Sequence, residues 1–96
     1  MFKIRFTEEA EDQFQNLRES KDKKVYKSVG KALAYMNANL RHPSLNTHKF
    51  DDLECPFGGI VFESYAQNKT PGAYRIFWTY GPGKSEITIL AITPHP

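Results

Sequence analysis

The run YRIFWTY (74–80) carries one arginine, Arg75, among aromatic and β-branched residues. A cation in such a setting must emerge into solvent, meet a carboxylate, or wait for an anion. Glu63, on the preceding strand-like run, is the carboxylate at hand, and a cross-strand pair of that kind contributes about 0.2–1 kcal/mol. His95 stands between two prolines in TPHP (93–96). Proline fixes its own φ and restricts its predecessor, so this histidine is held stiffly. Imidazole is also the side chain suited to proton transfer near neutral pH. The stretch RHPSLNTHKF (41–50) adds two of the three histidines, with Arg41 and Lys49 and no apolar run beside them. It reads either as a solvated connection or as one wall of a site for a negatively charged substrate.

Other chemistries have weaker support. The three histidines show no close His/Cys/Asp spacing, and Asp51 and Asp52 are equally well explained as loop, so no metal is expected. No Gly-rich loop opens a helix, and no nucleotide cofactor or other cofactor is expected. Cys55 is the single cysteine, so an internal disulfide is excluded and a reducing, cytoplasmic setting is the simplest reading. Nothing adjacent in sequence is expected to lower its pKa, which favours a structural role. No apolar run approaches the roughly 20 residues that span a bilayer, and no membrane partner is expected. The string Asn68-Lys69-Thr70 is taken as chance without a secretion signal. A net charge of +2 permits nucleic-acid binding without arguing for it.

Elements must position these groups. With 96 residues the chain is expected to form one domain, residues 1–96. FKIRF (2–6) alternates as a short half-buried strand. Thr7 then caps a helix to about Arg18, with Glu8 and Glu9 in its first turn and Ala10, Phe14 and Leu17 on one face. Asp22 caps a second helix, in which Val25, Val29, Leu33, Met36 and Leu40 hold the period and Lys24, Lys27 and Lys31 face water. Pro43 ends that pattern, and Arg41 and His42 read as its C-terminal cations. IVFESYA, YRIFWTY and EITILAI follow as three strands joined by NKTPG and GPGKS, hence antiparallel neighbours. Alternation puts Arg75, Phe77 and Thr79 on one face and Tyr74, Ile76, Trp78 and Tyr80 on the other; Glu63 and Tyr65 share a face with Val61. The expected fold class is α+β, ordered β-α-α-β-β-β, with a helical hairpin packed on a mainly antiparallel sheet.

This order, the His-Lys-Phe segment 48–50, a middle strand opening Tyr74-Arg75 and a last strand ending near a histidine together resemble the RelE/ParE toxin superfamily. The resemblance covers essentially the whole chain and rests on order and spacing. It implies a RelE-like toxin, a metal-independent endoribonuclease that cuts mRNA on the ribosome by attack of the ribose 2′-OH, neutralised by a cognate antitoxin. By resemblance Arg75 contacts the scissile phosphate, His95 acts as acid or base, and Glu63 matches a subgroup's catalytic glutamate loosely. His48 and Lys49 neutralise phosphate charge, and His48 shares proton transfer. Tyr65 and Tyr80 stack bases or orient the phosphate. The paired lysines of RelE itself are missing from the second strand. The alternatives are a ParE-like toxin that binds a protein target of the gyrase type, and a non-catalytic binding module of the same fold.

Overall fold

The computed structural model describes residues 2–95. The first strand, β1 (Lys3–Phe6), ends where Thr7 accepts a hydrogen bond from the Ala10 N–H and caps α1 (Glu8–Glu19). The cap satisfies a donor that the first helical turn leaves open, and Glu8 and Glu9 sit at the positive end of the helix dipole. Asp22 does the same for α2 (Lys23–Ala38), accepting from the Lys24 N–H at 2.9 Å. The helices bury Ala10, Leu17, Val29, Ala32, Leu33 and Met36, while Lys24, Lys27 and Lys31 stay exposed.

The second helix stops earlier than its hydrophobic pattern suggests. Asn39 is its C-cap, a turn follows, and a 3-10 turn occupies Pro43–Leu45. Arg41 and His42 therefore lie beyond the helix and not in its last turn. His42 instead caps the 3-10 turn through Nδ1 and stacks on Tyr35 at 3.8 Å between ring centroids. Leu40 keeps its apolar contact with the core from the turn, which is why periodicity alone runs past the helix end.

Among the described residues the sheet has five strands, one more than the sequence suggests. β2 (His48–Lys49), β3 (Val61–Tyr65), β4 (Tyr74–Tyr80) and β5 (Glu86–Pro94) join β1 in the spatial order β1-β5-β4-β3-β2. Three pairings are antiparallel; β1 alone runs parallel to β5. The fold is α+β, with both helices on one sheet face. Ile76, Trp78, Ile87, Ile89 and Ile92 meet the helices there. Beyond the end of β1, the Ile92 N–H donates to Gln13 Oε1 of α1 at 2.6 Å, so the edge amide of β5 is not left open.

The other face carries a smaller cluster, Val61, Phe77 and Leu90, covered by Phe50 and Cys55 of the loop between β2 and β3. A β-bulge creates part of it. Phe77 faces Ala91 and Trp78 faces Ile89, so Leu90 is the extra residue and joins this second face. The far end of that face, where Tyr65 pairs with Arg75 and Arg75 with Thr93, holds the polar groups.

Candidate active site

Register assembles the site. His48 lies directly opposite Glu63 in the β2–β3 pair, so both side chains leave the sheet on the same face. Asn46 takes the left-handed conformation (φ 45°) that asparagine tolerates, and its carbonyl meets His48 Nδ1 at 2.9 Å. His95 is no loose tail residue. Its backbone N–H donates to the Ala73 carbonyl at 2.7 Å, extending the β4–β5 ladder by one bond.

Glu63 is the centre of the group. Its Oε1 lies 2.6 Å from His48 Nε2, and its Oε2 lies 3.5 Å from His95 Nδ1 and 3.9 Å from Arg75 Nε. The side chains of Glu63 and Arg75 are 4% and 9% exposed, against 49% and 51% for His48 and His95. Two buried groups of opposite charge thus sit beneath two imidazoles that reach solvent. Arg75 is diagonal to Glu63 and stacks on its direct partner Tyr65, the guanidinium carbon 3.6 Å from the ring centroid. Its Nη1 donates to the Gln67 carbonyl at 2.6 Å. Glu63 Oε2 and Arg75 Nε are buried without a hydrogen-bond partner. Such atoms are costly to leave without a partner. Among the described residues, no three His, Cys, Asp or Glu side chains are placed to hold one metal ion.

No family model and no curated protein matches the sequence. Solved structures do match its backbone. The chain is similar to the YoeB/ParE toxin from Agrobacterium tumefaciens, with a TM-score of 0.69 at 8% identity over 99% of this chain and 100% of the other. It is similar to a chain of the YoeB–YefM complex from Staphylococcus aureus, with a TM-score of 0.67 at 16% identity over 100% and 99% of the two chains. The archaeal RelE–RelB complex from Pyrococcus horikoshii OT3 gives a TM-score of 0.66 at 14% identity over 97% of this chain and 93% of the other. The chain has the RelE/ParE toxin fold.

Within that toxin fold, the structure brings together Glu63, Arg75, His48 and His95 and separates the remaining candidates from them. Tyr80 lies on the helix side of β4, packed against Phe2, Phe62 and Trp78, and the sheet stands between it and Arg75. Lys49 pairs with Phe62, so strand alternation turns it to the side opposite His48. Tyr65 is in the group, but one face of its ring is covered by Arg75 and the His48 ring meets it edge-on at 6.0 Å. Its visible role is to hold the guanidinium.

Cys55 departs from the expectation that nothing lowers its pKa. Burial pushes the thiol up, but the Thr79 hydroxyl at 3.4 Å and the backbone amides of Phe57, Gly59 and Gly58 outweigh it, and the net shift is downward. The amides come from the turn that follows Pro56 and are invisible in a search for adjacent cations.

Sequence reasoning also passed over the residues that hold the group. Gln67 and Asn46 act through backbone carbonyls, which carry no side-chain signal. Ser64 Oγ accepts from Trp78 Nε1 at 2.8 Å and lies 2.7 Å from Thr47 Oγ1, tying the residue before His48 to the core. Ser64→Ala is expected to cost about 1–3 kcal/mol, because the buried Trp78 N–H loses its acceptor. Urea unfolding followed by circular dichroism measures this; a loss under 0.5 kcal/mol would show that the network holds nothing.

No helix among the described residues is long and apolar enough to cross a membrane.

Proposed function

We propose that the chain is a RelE-type toxin, a metal-independent endoribonuclease that cuts mRNA on the ribosome and is neutralised by a cognate antitoxin. One observation carries the reading: two half-exposed imidazoles, His48 and His95, stand on the two oxygens of one buried carboxylate, with Arg75 beside it. Cleavage by the ribose 2′-OH needs a group to take the hydroxyl proton, a group to protonate the leaving 5′-oxygen, and cations for the phosphorane charge. Arg75 and two histidines supply those types. Glu63 is too enclosed to reach RNA directly and serves by orienting the imidazoles, as a buried carboxylate orients histidine in hydrolytic triads.

A carboxylate–arginine pair of this burial is a poor choice for stability alone, since apolar residues of similar volume often do as well or better. That favours a chemical use for it. The antitoxin partner is supported by likeness to proteins solved as YoeB–YefM and RelE–RelB complexes.

The test is expression of the wild-type chain in a bacterial host, with mapping of mRNA ends on purified ribosomes. Growth arrest and cleavage are expected. Arg75→Ala is expected to lower the cleavage rate about 10²–10³-fold, the usual loss when one transition-state charge partner is removed. A wild-type chain that neither arrests growth nor cuts RNA would sink the proposal. Arrest that survives replacement of both His48 and His95 would select a ParE-like attack on a protein target instead.

A further inference from the structure

His48 has both ring nitrogens engaged, and the two contacts together define its protons. Nδ1 meets the Asn46 carbonyl oxygen at 2.9 Å. A carbonyl only accepts, so Nδ1 carries a hydrogen. Nε2 lies 2.6 Å from Glu63 Oε1, a separation that a lone pair facing a carboxylate oxygen does not reach unless a proton lies between them. The pair thus holds one proton more than a neutral imidazole and a carboxylate require.

The groups facing Glu63 decide where that proton resides. Arg75 of β4 and His95 beyond β5 approach Oε2, Tyr65 of β3 supplies a neutral ring, and Lys49 of β2 turns to the other face. With the Arg75 guanidinium beside Oε2, Glu63 serves as the acceptor, and each His48 ring nitrogen then carries a hydrogen toward an acceptor oxygen. His95 is in the opposite condition. Its Nδ1 is the nitrogen turned to Oε2, so the Nδ1–H tautomer directs the Nε2 lone pair outward from a half-exposed ring.

We propose that His48 enters the reaction already protonated and is the general acid, with His95 the general base. This assignment rests on the ribonuclease reading above; the shared proton does not. In the step itself, His95 Nε2 takes the 2′-OH proton as the bond from O2′ to phosphorus forms. The bond from phosphorus to O5′ breaks as the His48 Nε2–H leaves Glu63 Oε1 and Nε2 gives its proton to O5′. The products are a 2′,3′-cyclic phosphate and a free 5′-hydroxyl. One proton is taken and one is given, so no co-reactant is needed, and proton exchange with water resets the two rings.

Glu63 then positions His48 through Oε1 and faces His95 Nδ1 with Oε2 at 3.5 Å, which explains why a carboxylate with almost no exposure sits at the centre. The short β2 has a function in this scheme. Its two residues hold His48 opposite Glu63.

The experiment compares two ribosome-bound mRNAs, one with the ordinary linkage at the mapped cut site and one with sulfur replacing the bridging 5′-oxygen. A 5′-thiolate leaves without needing a proton. His48→Gln is expected to lose about 10²–10⁴-fold on the oxygen linkage, the range for one general acid, and to return to within about tenfold of wild type on the sulfur linkage. His95→Gln is expected to be impaired on both. A His48→Gln chain equally impaired on both linkages, or on neither, overturns the assignment.

The second arm needs no RNA. In the full chain with ¹⁵N-labelled histidine at neutral pH, both His48 ring nitrogens are expected to show the protonated-type shift, and Glu63→Gln is expected to return one of them to the unprotonated type. One unprotonated His48 nitrogen in the wild-type chain overturns the shared proton. A wild-type chain that cuts neither mRNA overturns the ribonuclease reading and the acid with it, and the ring spectrum still decides the proton.

Discussion

Glu63→Ala is expected to destabilise the chain by about 3–5 kcal/mol, the usual loss when one member of a buried charge pair is removed. Arg75, 9% exposed in the intact chain, would be left with no carboxylate beside Nε, and His48 would lose its short contact. The Tyr65 stack and the Gln67 carbonyl would still hold the guanidinium, but neither carries negative charge. Glu63→Gln keeps the shape and is expected to cost less. The informative comparison is the double variant Glu63→Leu with Arg75→Leu, expected to recover most of the loss because apolar replacement of a whole buried pair is often neutral or stabilising. Urea unfolding of these chains and of Glu54→Ala decides the matter. A Glu63→Ala loss no greater than that of an exposed carboxylate such as Glu54→Ala would show that the cluster is not energetically coupled.

Trp78→Ala is expected to cost about 3–5 kcal/mol, the range for truncating a buried aromatic. The ring is 1% exposed, stacks on Phe62 at 4.9 Å and meets Tyr80 edge-on at 5.1 Å. Its N–H is the donor to Ser64, so truncation also loosens the tie to Thr47 beside His48. Against a total stability of about 5–15 kcal/mol for a domain of this size, such a loss leaves a substantially unfolded population on warming. Trp78 is the sole tryptophan, so far-ultraviolet circular dichroism must report the transition in place of fluorescence. Trp78→Phe keeps most of the packing and is expected to lose about 1–3 kcal/mol, most of it from the hydrogen bond. Equal losses for the two variants would contradict the dominance of packing.

Parity along β4 was legible because it depends only on the two-residue repeat of an extended chain. Arg75, Phe77 and Thr79 share one face and Ile76 and Trp78 the other, as alternation requires. Thr7 and Asp22 were legible as caps for a similar reason: each acts on amides two or three residues away. The same local logic failed at Leu40. An apolar residue in a turn can meet the core as well as one in a helix, and period does not distinguish them.

β2 could not be seen in advance. Two residues hold no period, and only pairing with β3 makes them a strand. Histidine 48, glutamate 63, arginine 75 and histidine 95 were each singled out by residue type and surroundings, yet their meeting depends on three registers and on the Ala73 carbonyl that anchors His95. Tyr80 shows the converse, a suitable residue type carried to the wrong side of the sheet.

The amino-acid sequence by itself determined the helices, the long strands, their faces and the chemical types available, because caps, turns and periodicity are set by neighbours along the chain. The tertiary structure alone decided which charges meet and which atoms remain exposed. Register is chosen by burying whole faces at once, and a displacement of one residue in β2 would turn His48 away from Glu63.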